Sequence, residues 1–177
     1  QAPHPTEKHL GFQKIGQHDA WEVVLKGRTS RRHLAFVTHS DVVPAGEHND
    51  NVHTTPAGWT RPPFKAEIVN HAQGKRLYGR GTQDDKGPMA ASLVVLAALR
   101  EFGLRSAGSI YALIGNAEES DWDGMQRYAQ TQAPARFIIS LDASYPLVVA
   151  QSGFVQWELE FLRGKDDKGK MPGRRLH

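Results

Sequence analysis

Cysteine is absent from all 177 residues. That excludes a disulfide scaffold, a thiolate zinc site and a cysteine nucleophile, and leaves the compartment open. Long apolar runs are also missing. The longest, Met89 to Leu99, is well short of the ~20 residues needed to cross a bilayer, so no membrane partner is expected. Charge of one sign is scarce as well, with 22 Lys and Arg set against 19 Asp and Glu for a net +3. With 39% hydrophobic and 23% charged residues, the composition excludes disordered, collagen-like and coiled-coil chains. There is no internal repeat, and the start shows no apolar stretch of the kind a secretory signal carries. Gln at the first position, in place of Met, fits a chain processed or cut from a longer one.

What is present falls into three stretches. Residues 1–20 are polar, carry Pro and His, have no clear period and read as irregular. Residues 163–177 are basic, with Arg163, Lys165, Lys168, Lys170, Arg174 and Arg175 offset by Asp166 and Asp167. This tail reads as a solvated terminus rather than a nucleic-acid arm. Between them, Trp21–Leu25, His33–Thr38, Ala66–Val69, Arg76–Tyr78, Ser109–Ile114, Arg136–Leu141, Leu147–Ala150 and Phe154–Leu162 read as strands. Gly87–Phe102 reads as a buried helix ended by Gly103, and Asp121–Gln132 as an amphipathic one. From His39 to Pro63 the chain is loop-like, and a loop of that length in a compact domain is usually functional. Strands alternating with helices predict an α/β sandwich on a mixed, largely parallel sheet.

Four polar clusters each follow an apolar strand or open the buried helix: His39-Ser40-Asp41, Asp84-Asp85, Glu118-Glu119 and Asp142. Ligands bind at the carboxyl ends of strands in such sheets, so the clusters are candidates for one crevice. Six carboxylates and one His in a small volume need compensating charge, and Lys86 alone is too little. Divalent cations would supply it, because carboxylates and neutral imidazole are ligands for zinc, manganese and cobalt. Taken singly, each cluster has a plainer explanation. Either acidic pair, for instance, would complement the positive end of a helix dipole. His48, His53 and His71 read as surface residues, and Trp59 with Pro62-Pro63-Phe64 as an apolar loop anchor ahead of a specificity surface. Gly79-Arg80-Gly81 lacks the third Gly of a dinucleotide fingerprint, Lys86-Gly87 is not the end of a P-loop, and Ser40 has no nucleophile-elbow glycines.

The combination of motifs is specific. His39-Ser-Asp-Val-Val-Pro-Ala-Gly46, Tyr78-Gly-Arg-Gly-Thr-Gln-Asp-Asp-Lys-Gly-Pro88, Glu118-Glu-Ser120 and Asp142-Ala-Ser-Tyr-Pro-Leu147 occur in this order. Together they resemble the di-zinc metallopeptidase family that includes aminoacylase, glutamate carboxypeptidase, carnosine dipeptidase and the bacterial Xaa-His dipeptidases, the last branch most of all. The resemblance implies a three-layer α/β sandwich of the zinc-exopeptidase kind, incomplete in this chain. Residues 21–162 would be the N-terminal part of the catalytic domain, and 163–177 would lie at the junction to a lid domain.

Carried over position by position, the resemblance makes His39, Asp84 and Asp142 ligands of one metal. Asp84 would bridge to a second metal held also by Glu119, Asp41 would orient His39, and Glu118 would be the general base. Asp85 would not be a ligand. The implied cofactors are two divalent ions, zinc first, with manganese or cobalt as alternatives. The implied substrate is a dipeptide or small peptide, with N-acyl amino-acid deacylation, as in desuccinylases, or a non-catalytic fragment acting in binding or assembly as alternatives. The parent would pair as a homodimer through the lid. Cytoplasm is the family default, with an exported chain the other option. Three features depart from the pattern: the family's N-terminal helical segment is not found before Gln1, Asp121-Trp122-Asp123 replaces a more usual small, Gly-rich stretch after Glu118-Glu119-Ser120, and a last metal-binding His is not found. The family places a further metal-binding His in the C-terminal half of the catalytic domain, and the sole His after residue 71 is His177, in an unrelated context. The second metal set is thus expected to be one ligand short here.

Overall fold

The structure is a computed structural model and describes residues 10–15, 20–46, 53–144, 146–153, 155, 160–162 and 173–175. The chain divides into two units, Gln1–Ala143 and Ser144–His177. In the first unit a five-stranded sheet has the order β1-β2-β6-β3-β7. Its strands are β1 Leu10–Ile15, β2 Ala20–Leu25, β3 Arg32–His39, β6 Ser109–Gly115 and β7 Phe137–Ser140. The strands β4 (Glu67–His71) and β5 (Gly74–Tyr78) form a separate antiparallel hairpin. β6, β3 and β7 are parallel neighbours, while β2 is antiparallel to both β6 and β1. Four of the five strands therefore point one way, and β2 alone is reversed. The expected mixed, mainly parallel sheet is present.

The helix α1 spans Lys86–Glu101. Gly103, at φ 64°, ends it: the Gly103 N–H donates to the Arg100 carbonyl and the Leu104 N–H to the Leu99 carbonyl, at 2.9 and 3.0 Å. This left-handed termination is cheapest for glycine. Leu96 of α1 is fully buried in a cluster with Val23 and Leu25 of β2 and Ala112 and Ile114 of β6. Met89, Leu93 and Leu99 lie on the same helical stripe and pack against that cluster. Strand residues of the opposite parity face the other way. There Tyr128, from α2 (Asp123–Thr131), donates its hydroxyl to Glu22 at 2.9 Å.

Several sequence expectations change. The segment read as irregular contains β1, because an antiparallel ladder along β2 is made by main-chain groups and needs no hydrophobic period. Arg136–Leu141 was expected to be a buried strand; β7 is shorter, and every one of its residues is exposed, since it pairs only with β3 among the described residues. The helix read as buried all round is buried along one stripe, with Val94 and Val95 exposed. Leu147–Ala150 forms no strand. Phe154–Leu162 contributes β8 at Glu160–Leu162, while residues 154 and 156–159 lie outside the described residues. β8 pairs with β9, Gly173–Arg175, within the stretch read as an irregular tail, and the two form the hairpin of the second unit.

Candidate metal centre

Parallel register decides where the polar clusters meet. His39 is the last residue of β3 and lies opposite Gly115 at the end of β6, while Val37 lies opposite Ser140 at the end of β7. The loops that leave these strands therefore start at one edge of the sheet. They carry Ser40-Asp41, Glu118-Glu119 and Asp142, and the Asp84-Asp85 pair joins them where α1 begins.

His39 is the centre of the cluster, its side chain 1% exposed. Its Nδ1 lies 3.1 Å from the main-chain carbonyl of Asp41. A carbonyl only accepts, so Nδ1 carries the proton, and in the neutral ring Nε2 keeps its lone pair. That lone pair faces Asp84 Oδ1 at 2.9 Å and Asp142 Oδ2 at 3.6 Å. Three acceptors facing one another need a proton or a cation between them.

Asp41 acts on a second element. Its Oδ1 accepts the Glu118 N–H at 3.2 Å and its Oδ2 the Glu119 N–H at 3.0 Å. Its carboxylate is 3.4 Å from His39 Nδ1, farther than its own carbonyl. Asp85 is fully buried, and its Oδ2 accepts from the Thr38 hydroxyl and, at 3.2 Å, from the His39 N–H. Asp85 thus anchors the end of β3 from beneath, while Asp84 beside it faces His39. Lys86 is spent on the Ser40 carbonyl.

The electrostatics match this crowding. Burial alone would depress the His39 imidazole. The hydrogen bond to Asp84 and the charges of Asp142, Glu118 and Asp41 outweigh it and hold the pKa above the ordinary value. Burial raises the Glu118 carboxyl, and Asp142, Glu119 and Asp41 push it the same way against the pull of His39. Asp142 is raised by burial first, then by Asp84. The cluster therefore has surplus negative charge in a confined space. His39 with Asp84 and Glu119, and His39 with Glu118 and Asp142, form two groups whose ligand atoms lie within 4.8 Å of one another. Oxygen and imidazole donors of this kind fit a divalent cation of the zinc, manganese or cobalt type.

The family model described as peptidase family M20/M25/M40 matches residues 35–164, a span that holds every member of this cluster. The chain belongs to the M20/M25/M40 peptidases. Among relatives of this M20 peptidase, the β-Ala-Xaa dipeptidase of Lactobacillus delbrueckii subsp. lactis is 36% identical over 138 residues, 78% of this chain and 26% of the relative. The chain thus spans about a quarter of the length of such relatives. The fold is similar to that of human carnosine dipeptidase 1, with TM-score 0.55 at 22% identity over 76% of this chain and 28% of that one. It is also similar to a tripeptidase from Staphylococcus aureus, with TM-score 0.53 at 20% identity over 76% of this chain and 34% of the other.

All six residues singled out in the sequence lie in this one cluster: His39, Asp41, Asp84, Glu118, Glu119 and Asp142. Sequence reasoning missed the anchoring by Thr38 and Asp85, for which the adjacency of Asp85 to Asp84 was the only available signal. It marked Trp122 only as part of a departure from the family pattern and gave neither Trp122 nor Met125 a role, although both line a cavity shared with His39 and Asp142. Of the histidines read as surface residues, His53 and His71 are exposed. His71 bonds the Tyr78 hydroxyl at 2.9 Å, and His48 lies outside the described residues. The Trp59 segment is a loop anchor. The Trp59 indole N–H donates to the Ala45 carbonyl at 3.0 Å, and the Arg80 guanidinium stacks over the ring at 4.7 Å.

Proposed function

We propose that this M20 peptidase chain is part of an enzyme that hydrolyses an amide bond in a dipeptide or small peptide. The observation that carries the reading is the convergence of His39 Nε2, Asp84 and Asp142, with Glu118 and Glu119 alongside, at the carboxyl edge of three parallel strands. His39, Asp84 and Asp142 would hold one divalent cation, and Asp84 and Glu119 would contribute to a second, zinc being the first choice. When bound, such ions polarise a carbonyl and acidify water.

The protein's own part is arrangement and proton transfer. Asp41 fixes the His39 tautomer through its carbonyl and the Glu118-Glu119 backbone through its carboxylate. Glu118 accepts the proton of the attacking water and returns it to the leaving amine. Helices on opposite faces of the sheet, α1 packing through Leu96 and α2 bonding through Tyr128, support a three-layer sandwich. The coverage of about a quarter of the relatives' length supports reading residues 21–162 as the N-terminal part of a longer catalytic domain.

Zinc titration with parallel assays on dipeptides and N-acyl amino acids tests this. Metal uptake together with dipeptide turnover that Glu118→Ala removes is the expected result. Turnover that survives Glu118→Ala, or no metal uptake at all, overturns the mechanism. Turnover of N-acyl amino acids alone would redirect the substrate assignment.

A further inference from the structure

The cluster described above opens into a small cavity of about 40 Å³ whose lining away from the cluster is mainly apolar, with Thr38 and Ser140 beside it. Its polar end is His39, Glu118 and Asp142, and Val37, Gly115, Trp122 and Met125 form most of the rest. Gly115 leaves the floor open: a Cβ there would stand 3.2 Å from Met125 Cγ, so Met125 packs directly on the strand end.

Trp122 is the unusual member. Among the described residues it is the one non-glycine residue with positive φ, at 60°. That conformation is a genuine outlier for a bulky side chain and is easier for Gly or Asn. The backbone is held there from both sides. The Trp122 N–H donates to the Ala117 carbonyl at 2.8 Å, and its carbonyl accepts the Gln126 N–H at 2.9 Å. Gln126 also donates its side-chain amide to the Asp121 carbonyl at 2.9 Å. The indole is nevertheless 47% exposed. Strain of this kind points toward function when the surrounding structure fixes it, and here it holds out a large apolar ring beside the groups assigned to the reaction.

We propose that this cavity is the subsite for an apolar side chain of the substrate and that Trp122 and Met125 set the preference for it. The proposal rests on the amide-hydrolase reading and names the substrate class that reading leaves open. A ligand that places its amide at the His39–Asp142 end puts a neighbouring side chain against Val37, Trp122 and Met125. An aliphatic group there leaves water for an apolar wall. An acidic side chain would meet Glu118 and Asp142 inside, with no Lys or Arg among the cavity's lining residues and Asp121 and Asp123 on either side of Trp122 in the chain.

The test uses the intact, zinc-loaded protein with leucylglycine, glycylleucine and glycylglycine as substrates, comparing wild type, Trp122→Gly and Met125→Ala. Trp122→Gly removes the ring and relieves the positive φ, and Met125→Ala, in the first turn of α2, shortens the side chain with a residue that keeps the helical backbone. Circular dichroism confirms that each variant is folded. The wild type should favour a leucine dipeptide over glycylglycine by roughly tenfold or more in kcat/KM. Trp122→Gly should cut that ratio to about threefold or less, mainly through KM, and Met125→Ala should move it the same way. A ratio unchanged in both variants, or a wild type that favours glycylglycine, overturns the subsite and leaves the hydrolase reading standing. If no dipeptide is turned over, the hydrolase reading fails separately, and calorimetric binding decides the subsite. Tighter binding of the leucine dipeptides that is lost in Trp122→Gly supports it; equal binding, or none, overturns it.

Discussion

Asp41 clamps Glu119. Its Oδ2 accepts the Glu119 N–H at 3.0 Å while Oδ1 accepts the Glu118 N–H at 3.2 Å, so one carboxylate at the end of β3 fixes the loop that leaves β6. The same residue's carbonyl receives His39 Nδ1 at 3.1 Å. Two candidate ligands, one at the end of β3 and one in the loop after β6, are thus set by one residue, His39 through its carbonyl and Glu119 through its carboxylate, and that residue is not itself assigned to a metal.

Asp41→Ala should therefore weaken metal binding without removing a ligand. Residues that orient ligands typically cost about 10–100-fold in affinity when lost. Chelator competition for zinc should show a drop in this range. Asp41→Asn keeps one acceptor oxygen and should fall between the two. Wild-type affinity in Asp41→Ala would show that the clamp is dispensable.

Glu118 and Glu119 are neighbours in sequence, but their proposed duties differ. Glu118→Gln removes a proton acceptor, and loss of general-base catalysis commonly costs about 10²–10⁴-fold in rate. Turnover should fall by that much while zinc affinity stays within about threefold, because Gln preserves the shape of the side chain. Glu119→Gln should instead lower the number of ions bound. Because Glu118 also lies in one of the two possible ligand groups, parallel metal titrations decide its role: a loss of zinc in Glu118→Gln would make it a ligand.

The parallel register explains why so much of the site was legible in the sequence. Each candidate residue follows an apolar strand or precedes α1, and parallel neighbours put such positions at one edge whatever the strand order. His39, Glu118 and Asp142 were accordingly found without knowing that β6 lies between β2 and β3. The clamp by Asp41 on the Glu118-Glu119 backbone was not legible, since main-chain donors leave no mark in a sequence. Nor was the exposure of β7. Phe137-Ile138-Ile139 reads as a buried run, and burial depends on neighbours that a strand's own composition does not specify. β1 escaped for the opposite reason, because its pairing with β2 is a main-chain ladder over a stretch without a recognisable period.

Close backbone approach makes a prediction at the other end of the sheet. Gly27 follows β2 and lies against Gly108, just before β6; a Cβ at position 27 would overlap the Gly108 carbonyl. Flanking bonds, from the Arg28 N–H to the Ser106 carbonyl at 2.9 Å and from the Thr29 N–H to the Ala107 carbonyl at 3.1 Å, hold the two segments together. Backbone cannot swing aside as a side chain can. Gly27→Ala should therefore destabilise by about 1–3 kcal/mol, the usual cost of overpacking. A lower urea midpoint at unchanged m-value would register it. A midpoint equal to wild type would mean that the segments separate at little cost.

The polar group on the α2 face gives the last prediction. Glu22 is 4% exposed in a central part of the sheet. It accepts from the Tyr128 hydroxyl at 2.9 Å and from the Arg32 guanidinium, which stacks over the Tyr111 ring at 3.9 Å. Burial, then the bond to Glu22, pushes the Tyr128 hydroxyl far above its ordinary range, so it remains a donor at every physiological pH. Removing one partner of a buried ion pair strands the other charge. Arg32→Met should accordingly cost about 3–5 kcal/mol. Tyr128→Phe deletes one bond to a charged acceptor and leaves the ion pair intact, which should cost about 1.5–3 kcal/mol. Glu22→Gln in the Arg32→Met background removes the stranded charge and should recover part of the loss, so the two changes should be less than additive. Urea unfolding of the four proteins of this cycle measures the coupling. Additive losses would mean that Glu22 and Arg32 are each solvated independently, and that α2 is held to the sheet by Tyr128 packing rather than by this charge pair.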